Sequence, residues 1–242
     1  MLLIIFTLIP IVAVALKLLS LYLKYRNSTY KLACGNSFFK TIFDKGNYGE
    51  FLTFTKLENL GKGNMLMTNL YIPREDGTTT EIDLLMISPT GIYVFESKNY
   101  SGWIFGDERN KNWTQTLENR QKNRFYNPIW QNKAHINALK NVLNLDDDAF
   151  KSYIIFSERC TLKKINVTSS NVKVIKRDQL IRSIKKDIKD SPEIFKSEEV
   201  NQIYSSLQKY ANVDEDIKQA HIAAIKSKGT YSETPWENKY IK

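Results

Sequence analysis

The stretch Glu81–Lys98 constrains this chain more than any other. It reads EIDLLMI, then Ser-Pro-Thr-Gly, then IYVFESK. Two apolar runs, the second rich in β-branched and aromatic residues, read as strands, and the four-residue turn between them makes a hairpin. Asp83 falls in the first strand, and Glu96 and Lys98 fall near the end of the second. Residues two apart in a strand share a face, so Glu96 and Lys98 project together with Ile92 and Val94 behind them. Where the register allows, Asp83 comes alongside Glu96. An apolar strand that ends in Glu and Lys breaks a local rule, and such breaks fall at functional sites.

The surrounding pattern is α/β. From Asn47, apolar residues at Phe51, Leu52, Phe54, Leu57 and Leu60 recur at helical spacing, and Gly61-Lys62-Gly63 ends the run. Met65–Ile72 reads as a strand, with short strands expected around Gly102–Phe105 and Trp113–Leu117. Pro128 precedes a helix over Ile129–Leu143. Tyr153–Phe156 and Val172–Ile175 read as short buried strands. Asp178 is placed to cap a helix to Ile188, and Ser191-Pro192-Glu193 to start another reaching about Tyr210. Ile217, Ala220, His221, Ala224 and Ile225 form a narrow apolar stripe, followed by a tail. These elements predict a mixed sheet flanked by helices, with a helical C-terminal extension.

The chain of 242 residues has two cysteines, Cys34 and Cys160, and two histidines, His135 and His221. That excludes a disulfide scaffold, a multi-cysteine zinc module and a histidine-rich metal site. Chemistry here must run on carboxylates, Lys and Arg. The net charge of +9 is compatible with nucleic acid or with an anionic membrane surface, and decides neither.

The N-terminus carries a second strong signal. Leu2–Leu16 holds no charge, and the apolar character resumes after Lys17 as far as Leu23. As a helix this run is roughly 33 Å long, enough to cross a ~30 Å hydrocarbon core. No Lys or Arg precedes it, whereas Lys17, Lys24, Arg26 and Lys31 follow. That asymmetry favours a membrane anchor over a cleaved signal peptide, although Ala13-Val14-Ala15 resembles a cleavage site. The sequence therefore predicts a transmembrane helix in 1–25, a basic connector over 26–45, a catalytic domain over 46–190 and a helical extension over 191–242. It places the protein as single-pass in the cell membrane, with the C-terminal domain cytoplasmic.

Two carboxylates converging on one point suit a hard divalent cation, since Mg²⁺ commonly takes one or two carboxylates and completes its shell with water and phosphate oxygens. A neighbouring lysine can orient the attacking water and offset charge on phosphorus. The segments GNYGE (46–50), EIDLLMISPTGIYVFESKNYSGWIFGD (81–107) and NPIWQNKAHINAL (127–139) together resemble the nuclease-related domain (NERD) family of the PD-(D/E)xK, restriction-endonuclease-like superfamily. The resemblance implies metal ligation by Asp83 and Glu96, with the Ser97 carbonyl a plausible further ligand. It implies a catalytic role for Lys98, a supporting carboxylate in Glu50 and a site-abutting glutamine in Gln131. Ile82 stands where the superfamily name has proline, a position without a chemical role. His135, one helical turn beyond Gln131, reads as an ordinary satisfied histidine.

Arg120, Lys122, Arg124 and Tyr126 interleave cations with an aromatic residue, the mix that contact with phosphates and bases requires. The expectation is a Mg²⁺- or Mn²⁺-dependent nuclease acting on nucleic acid, with DNA the leading substrate and no small-molecule cofactor. The alternative is a catalytically weak or inactive nucleic-acid-binding scaffold.

Overall fold

The computed structural model describes residues 2–227 apart from positions 62 and 212, with residues 2–8 described by backbone alone. Two mixed sheets carry the fold. The central sheet has five strands in the order β1 (Met65–Pro73), β2 (Thr79–Ser88), β3 (Gly91–Lys98), β7 (Phe150–Phe156), β9 (Val172–Lys176). Its first three strands are antiparallel, while β7 runs parallel to both β3 and β9. The second sheet has the order β6 (Lys122–Tyr126), β5 (Asn112–Thr116), β4 (Gly102–Asp107), β8 (Cys160–Asn166).

Helices cover both faces of the central sheet. On one side α5 (Pro128–Leu143) and α7 (Ser197–Leu207) pack Ile136, Leu139, Val200 and Leu207 onto Ile87, Ile92 and Val94. On the other, α4 (Lys45–Leu57) and α6 (Leu180–Asp190) bring Phe51, Phe54, Leu180 and Ile184 against Tyr93, Phe95 and Tyr153. Alternate residues of β3 thus enter different cores, as the two-residue strand period requires. The second sheet closes a third core, where Ile104, Trp113 and Phe125 meet Phe156 of β7 and the Trp113 and Phe156 rings stack 6.1 Å apart.

The expected single mixed sheet is corrected to two. β6 and β8 escaped the sequence reading because each has one solvated face studded with Lys and Arg, which resembles a charge run rather than a strand. The stretch 26–45 carries two short helices, α2 (Tyr30–Cys34) and α3 (Phe38–Phe43), and Tyr30 and Cys34 are buried. Residues 191–196 are not helical, because the Ile194 and Phe195 N–H groups donate to the Pro89 carbonyl at 2.8 and 3.0 Å. Helix α7 begins only at Ser197, and α8 (Glu215–Ser227) holds the apolar stripe around His221. The tail beyond 227 lies outside the described residues.

The expected transmembrane helix is also overturned. Among the described residues, no helix is long and apolar enough to cross a membrane. Helix α1 (Leu2–Asn27) has described side chains from Ile9 onward. Lys17 places a charge inside the apolar stretch of this helix, a costly position in hydrocarbon. Its last turns belong to the folded domain: Tyr25 is buried and donates to the Asn36 carbonyl, and both Tyr22 and Tyr25 meet Phe38 edge-on. The single-pass placement built on that helix falls with it.

Candidate active site

The site begins where the central sheet forks. The β2–β3 ladder runs from Ser88 opposite Gly91 to Leu84 opposite Phe95. Asp83 and Glu96 occupy the next register position, and there the strands part. β2 goes on with β1 as far as Thr79, whereas β3 goes on with β7 as far as Lys98. The β1–β2 ladder also skips the Asn69–Asp83 position, and Asn69 has φ +53°, a left-handed conformation that asparagine tolerates better than most residues. Across this break Met67 and Leu70, and likewise Ile82 and Leu85, enter the same core although three residues apart. An irregularity of this kind re-aims side chains. The fork opens a cleft of about 470 Å³ whose walls include Glu50, Asp83, Glu96, Ser97, Lys98 and Gln131.

Glu96 is 1% exposed. Its Oε1 lies 3.1 Å from Lys98 Nζ, and the same ammonium donates to Gln131 Oε1 at 3.1 Å. Its Oε2 lies 3.2 Å from His135 Nε2, and His135 Nδ1 is 2.7 Å from the Thr80 hydroxyl. Arg74 Nη2 in turn donates to that hydroxyl at 2.7 Å. A carboxylate accepts, so Nε2 donates to Glu96, while Nδ1 shares a hydrogen bond with the Thr80 hydroxyl, which accepts from Arg74. Burial by itself raises the Glu96 carboxyl, but Lys98 and the His135 hydrogen bond outweigh it and hold the group below the ordinary glutamate range. A buried carboxylate is thus kept ionised next to a lysine.

Helix α5 owes its position to asparagines. Asn127 caps it by accepting from the Ile129 N–H at 2.9 Å, while its amide donates to the Glu108 and Asn110 carbonyls at 3.0 and 2.8 Å. Asn132 donates to the Val94 carbonyl at 2.9 Å and to the Ser152 hydroxyl at 2.8 Å, tying the helix to β3 and β7. Gln131 and His135, four residues apart, therefore share the helix face turned to the cleft.

The opposite wall depends on α4. Asp44 accepts from the Asn47 N–H at 2.8 Å and starts that helix. A Cβ at Gly49 would lie 2.9 Å from Asn99 Cβ, so only glycine lets α4 approach the end of β3 this closely and seat Glu50 in the cleft wall. Thr53 Oγ1 lies 3.4 Å from Ser97 Oγ and accepts from Arg177 Nε at 3.2 Å. Arg177 is 1% exposed and pairs with Glu158 at 3.2 Å; burial lowers its pKa against the pull of that carboxylate. The Ser97 side chain thus serves the α4 face, leaving only its carbonyl for the Glu96 side.

The structure brings Glu50, Asp83, Glu96, Ser97, Lys98 and Gln131 to one cleft. Of the residues expected to touch nucleic acid, Tyr126 lines this cleft. Lys122 and Arg124 stand exposed on β6, and Arg120 sits in the turn before it with φ +63°. Sequence reading missed the part played by His135 and Arg177. His135 had a signal, its four-residue spacing from Gln131; Arg177, far along the chain from the motif, had none. Among the described residues, no group of three or more His, Cys, Asp or Glu side chains is assembled that could hold a metal ion. Asp83 and Glu96 meet the smaller requirement of Mg²⁺, one or two carboxylates plus water and substrate oxygens.

Residues 45–157 match the family described as Nuclease-related domain. Over 187 residues the chain is 33% identical to an uncharacterized protein of Bacillus anthracis, with 76% of this chain and 85% of that protein covered. The chain belongs to the nuclease-related domain family. The matched NERD region holds every cleft residue from Lys45 to Arg159 except Arg159 itself, whereas Arg177 and helices α6–α8 lie beyond it. A nuclease-related function follows from membership. No solved structure matches the chain.

Proposed function

We propose that the NERD cleft hydrolyses phosphodiester bonds of nucleic acid, DNA foremost, in a divalent-metal-dependent reaction of the PD-(D/E)xK kind. The observation that carries this reading is the Lys98 ammonium held between Glu96 and Gln131 at the fork of the sheet, with Asp83 and Glu50 in the same cleft. Asp83 and Glu96, with the Ser97 carbonyl, would hold Mg²⁺ or Mn²⁺. When bound, such an ion lowers the pKa of water and polarises the phosphoryl oxygen.

The remaining work falls to the chain's own side chains. Glu96 and Gln131 hold the Lys98 ammonium, so it is an aimed donor rather than one free to rotate. That donor orients water for in-line attack and offsets the charge that builds on phosphorus. His135 and Thr80 hold the Glu96 carboxylate at a fixed angle. Glu50 adds negative charge from the α4 wall, which strengthens cation retention. Arg120, Lys122, Arg124 and Tyr126 supply phosphate and base contacts along the approach. A second reading, a binding module with little turnover, is favoured by one feature: both Glu96 oxygens already have partners in Lys98 and His135.

The test offers the full chain plasmid, linear duplex, single-stranded DNA and RNA with Mg²⁺ or Mn²⁺, beside Lys98→Ala prepared identically. Cleavage that disappears in the variant and in EDTA supports the nuclease. Nucleic-acid binding without cleavage by the wild type transfers the assignment to the binding module.

A further inference from the structure

The outer face of the second sheet lies apart from the catalytic group, and beyond Lys122 and Arg124 it carries an ordered pattern of aromatic residues and cations. On β4, Trp103 and Phe105 are 49% and 37% exposed, while Ile104 between them is fully buried. Cross-strand partners share a face, so the register defines what surrounds each ring. Trp103 pairs with Thr116, and Thr116 with Lys122. Phe105 pairs with Thr114, and Thr114 with Arg124. On the other side Phe105 pairs with Lys164 of β8, and Lys163 Nζ sits 5.3 Å from the Trp103 ring centroid.

Two parallel rows result, each with an aromatic ring between cations. The rows are about 6.6 Å apart along the strands, and each β6 cation is about 10 Å from its ring across them. The carboxylates at the end of β4 and just after it are engaged elsewhere: Asp107 accepts from Arg109 and Asn166, and Glu108 from the Thr168 and Ser169 N–H groups. Tyr126, two residues beyond Arg124 on β6, already lines the cleft.

We propose that this face is a stacking platform for single-stranded nucleic acid, with bases on Trp103 and Phe105 and phosphates on Lys122, Arg124, Lys163 and Lys164. Exposed rings need exposed base faces, which a duplex hides inside its own stack, and the cations supply phosphate neutralisation. The partner is a polyanion because the outward charges flanking both rings are positive on both sides. The inference rests on the nuclease reading, for which it names the form of the substrate, and it uses residues apart from the catalytic group.

The test titrates the full chain, in EDTA so that metal-dependent cleavage does not intervene, into labelled oligo(dT), oligo(rU) and a duplex of about 16 nucleotides, read by anisotropy. Trp103→Ala with Phe105→Ala weakens single-strand binding by about tenfold or more and leaves duplex binding unchanged. Tyrosine at both positions restores it, which separates stacking from a folding defect. Lys163→Ala with Lys164→Ala lowers the salt slope of single-strand binding by about one unit or more. Single-strand affinity unchanged in the Trp103 and Phe105 variant overturns the proposal, as does wild-type binding of duplex as tight as of single strand. A wild type that binds single strands through this face yet cuts nothing with Mg²⁺ or Mn²⁺ sinks the nuclease reading and leaves the platform standing. Cleavage with unaltered binding in the double variant does the reverse.

Discussion

The two sheets of this protein solve opposite problems. The central sheet is covered by helices on both faces, so β3 is buried from Gly91 to Glu96 and every polar group on it must find a partner. The second sheet buries one face against β7 and leaves the other in water, so Lys122, Arg124, Lys163 and Lys164 need none. In the first setting a single carboxylate, Glu96, recruits Lys98 and His135, with Gln131, Thr80 and Arg74 behind them. In the second, charge is cheap and its pattern follows from strand register alone. The proposed chemistry sits where polarity is costly, and the proposed recognition surface sits where it is not.

Core substitutions separate the two sheets most sharply. Phe95→Ala, in the doubly covered strand, is expected to lower unfolding free energy by about 3–5 kcal/mol, whereas Trp103→Ala on the half-exposed face lowers it by about 1–2 kcal/mol. Urea unfolding of both variants measures the contrast, and equal losses would break it. Lys98→Ala comes next, with cleavage reduced by about 10²–10³-fold, the scale of removing one aimed donor from a transition state. Single-turnover rates on the cleaved substrate check this, and a loss confined to KM would move Lys98 from chemistry to binding.

His135→Ala is expected to cost about 10–100-fold in activity or metal affinity, the usual effect of removing a group that orients a ligand. Metal titration of the variant against wild type gives the readout. The smallest effect concerns His221, which joins α8 to β2 through Thr79 at 3.1 Å. Burial lowers its pKa below 6.5, partly countered by Glu81 and Thr79. The unfolded chain therefore binds the proton more readily than the folded one. This contribution is fully present above about pH 6.5 and is lost as pH falls through the folded-state value. Thermal unfolding from about pH 7.5 down to pH 5 should show a steeper fall for wild type than for His221→Phe; parallel curves would remove His221 from the pH response.

Much of the cleft was legible because its residues are close in sequence. The β2–β3 hairpin, the two-residue spacing of Glu96 and Lys98, and the proline-led helix bearing Gln131 are all local patterns. The second sheet was half legible: β4 and β5 show themselves through Trp103, Ile104 and Trp113, while β6 and β8 read as charge runs because half their residues face water. The apolar N-terminal run was the reverse case. Its composition spoke for a membrane span, yet the last turns of α1 bury Tyr25 in the domain and set Tyr22 against Phe38, a tertiary fact that hydropathy does not carry.

The sequence by itself determined the strands and helices that bear the candidate site, the charge set of Glu50, Asp83, Glu96 and Lys98, and the family. Those follow from periodicity, turn residues and short-range spacing, which act over a few residues. Tertiary structure alone decided that β2 and β3 part at Asp83 and Glu96 to open a cleft. It also brought His135, Thr80, Arg74 and Arg177 around that cleft, and set two aromatic residues between cations on an exposed sheet. These depend on strand register and on contacts between distant segments, which become fixed only when separate stretches of chain bury their apolar faces against one another.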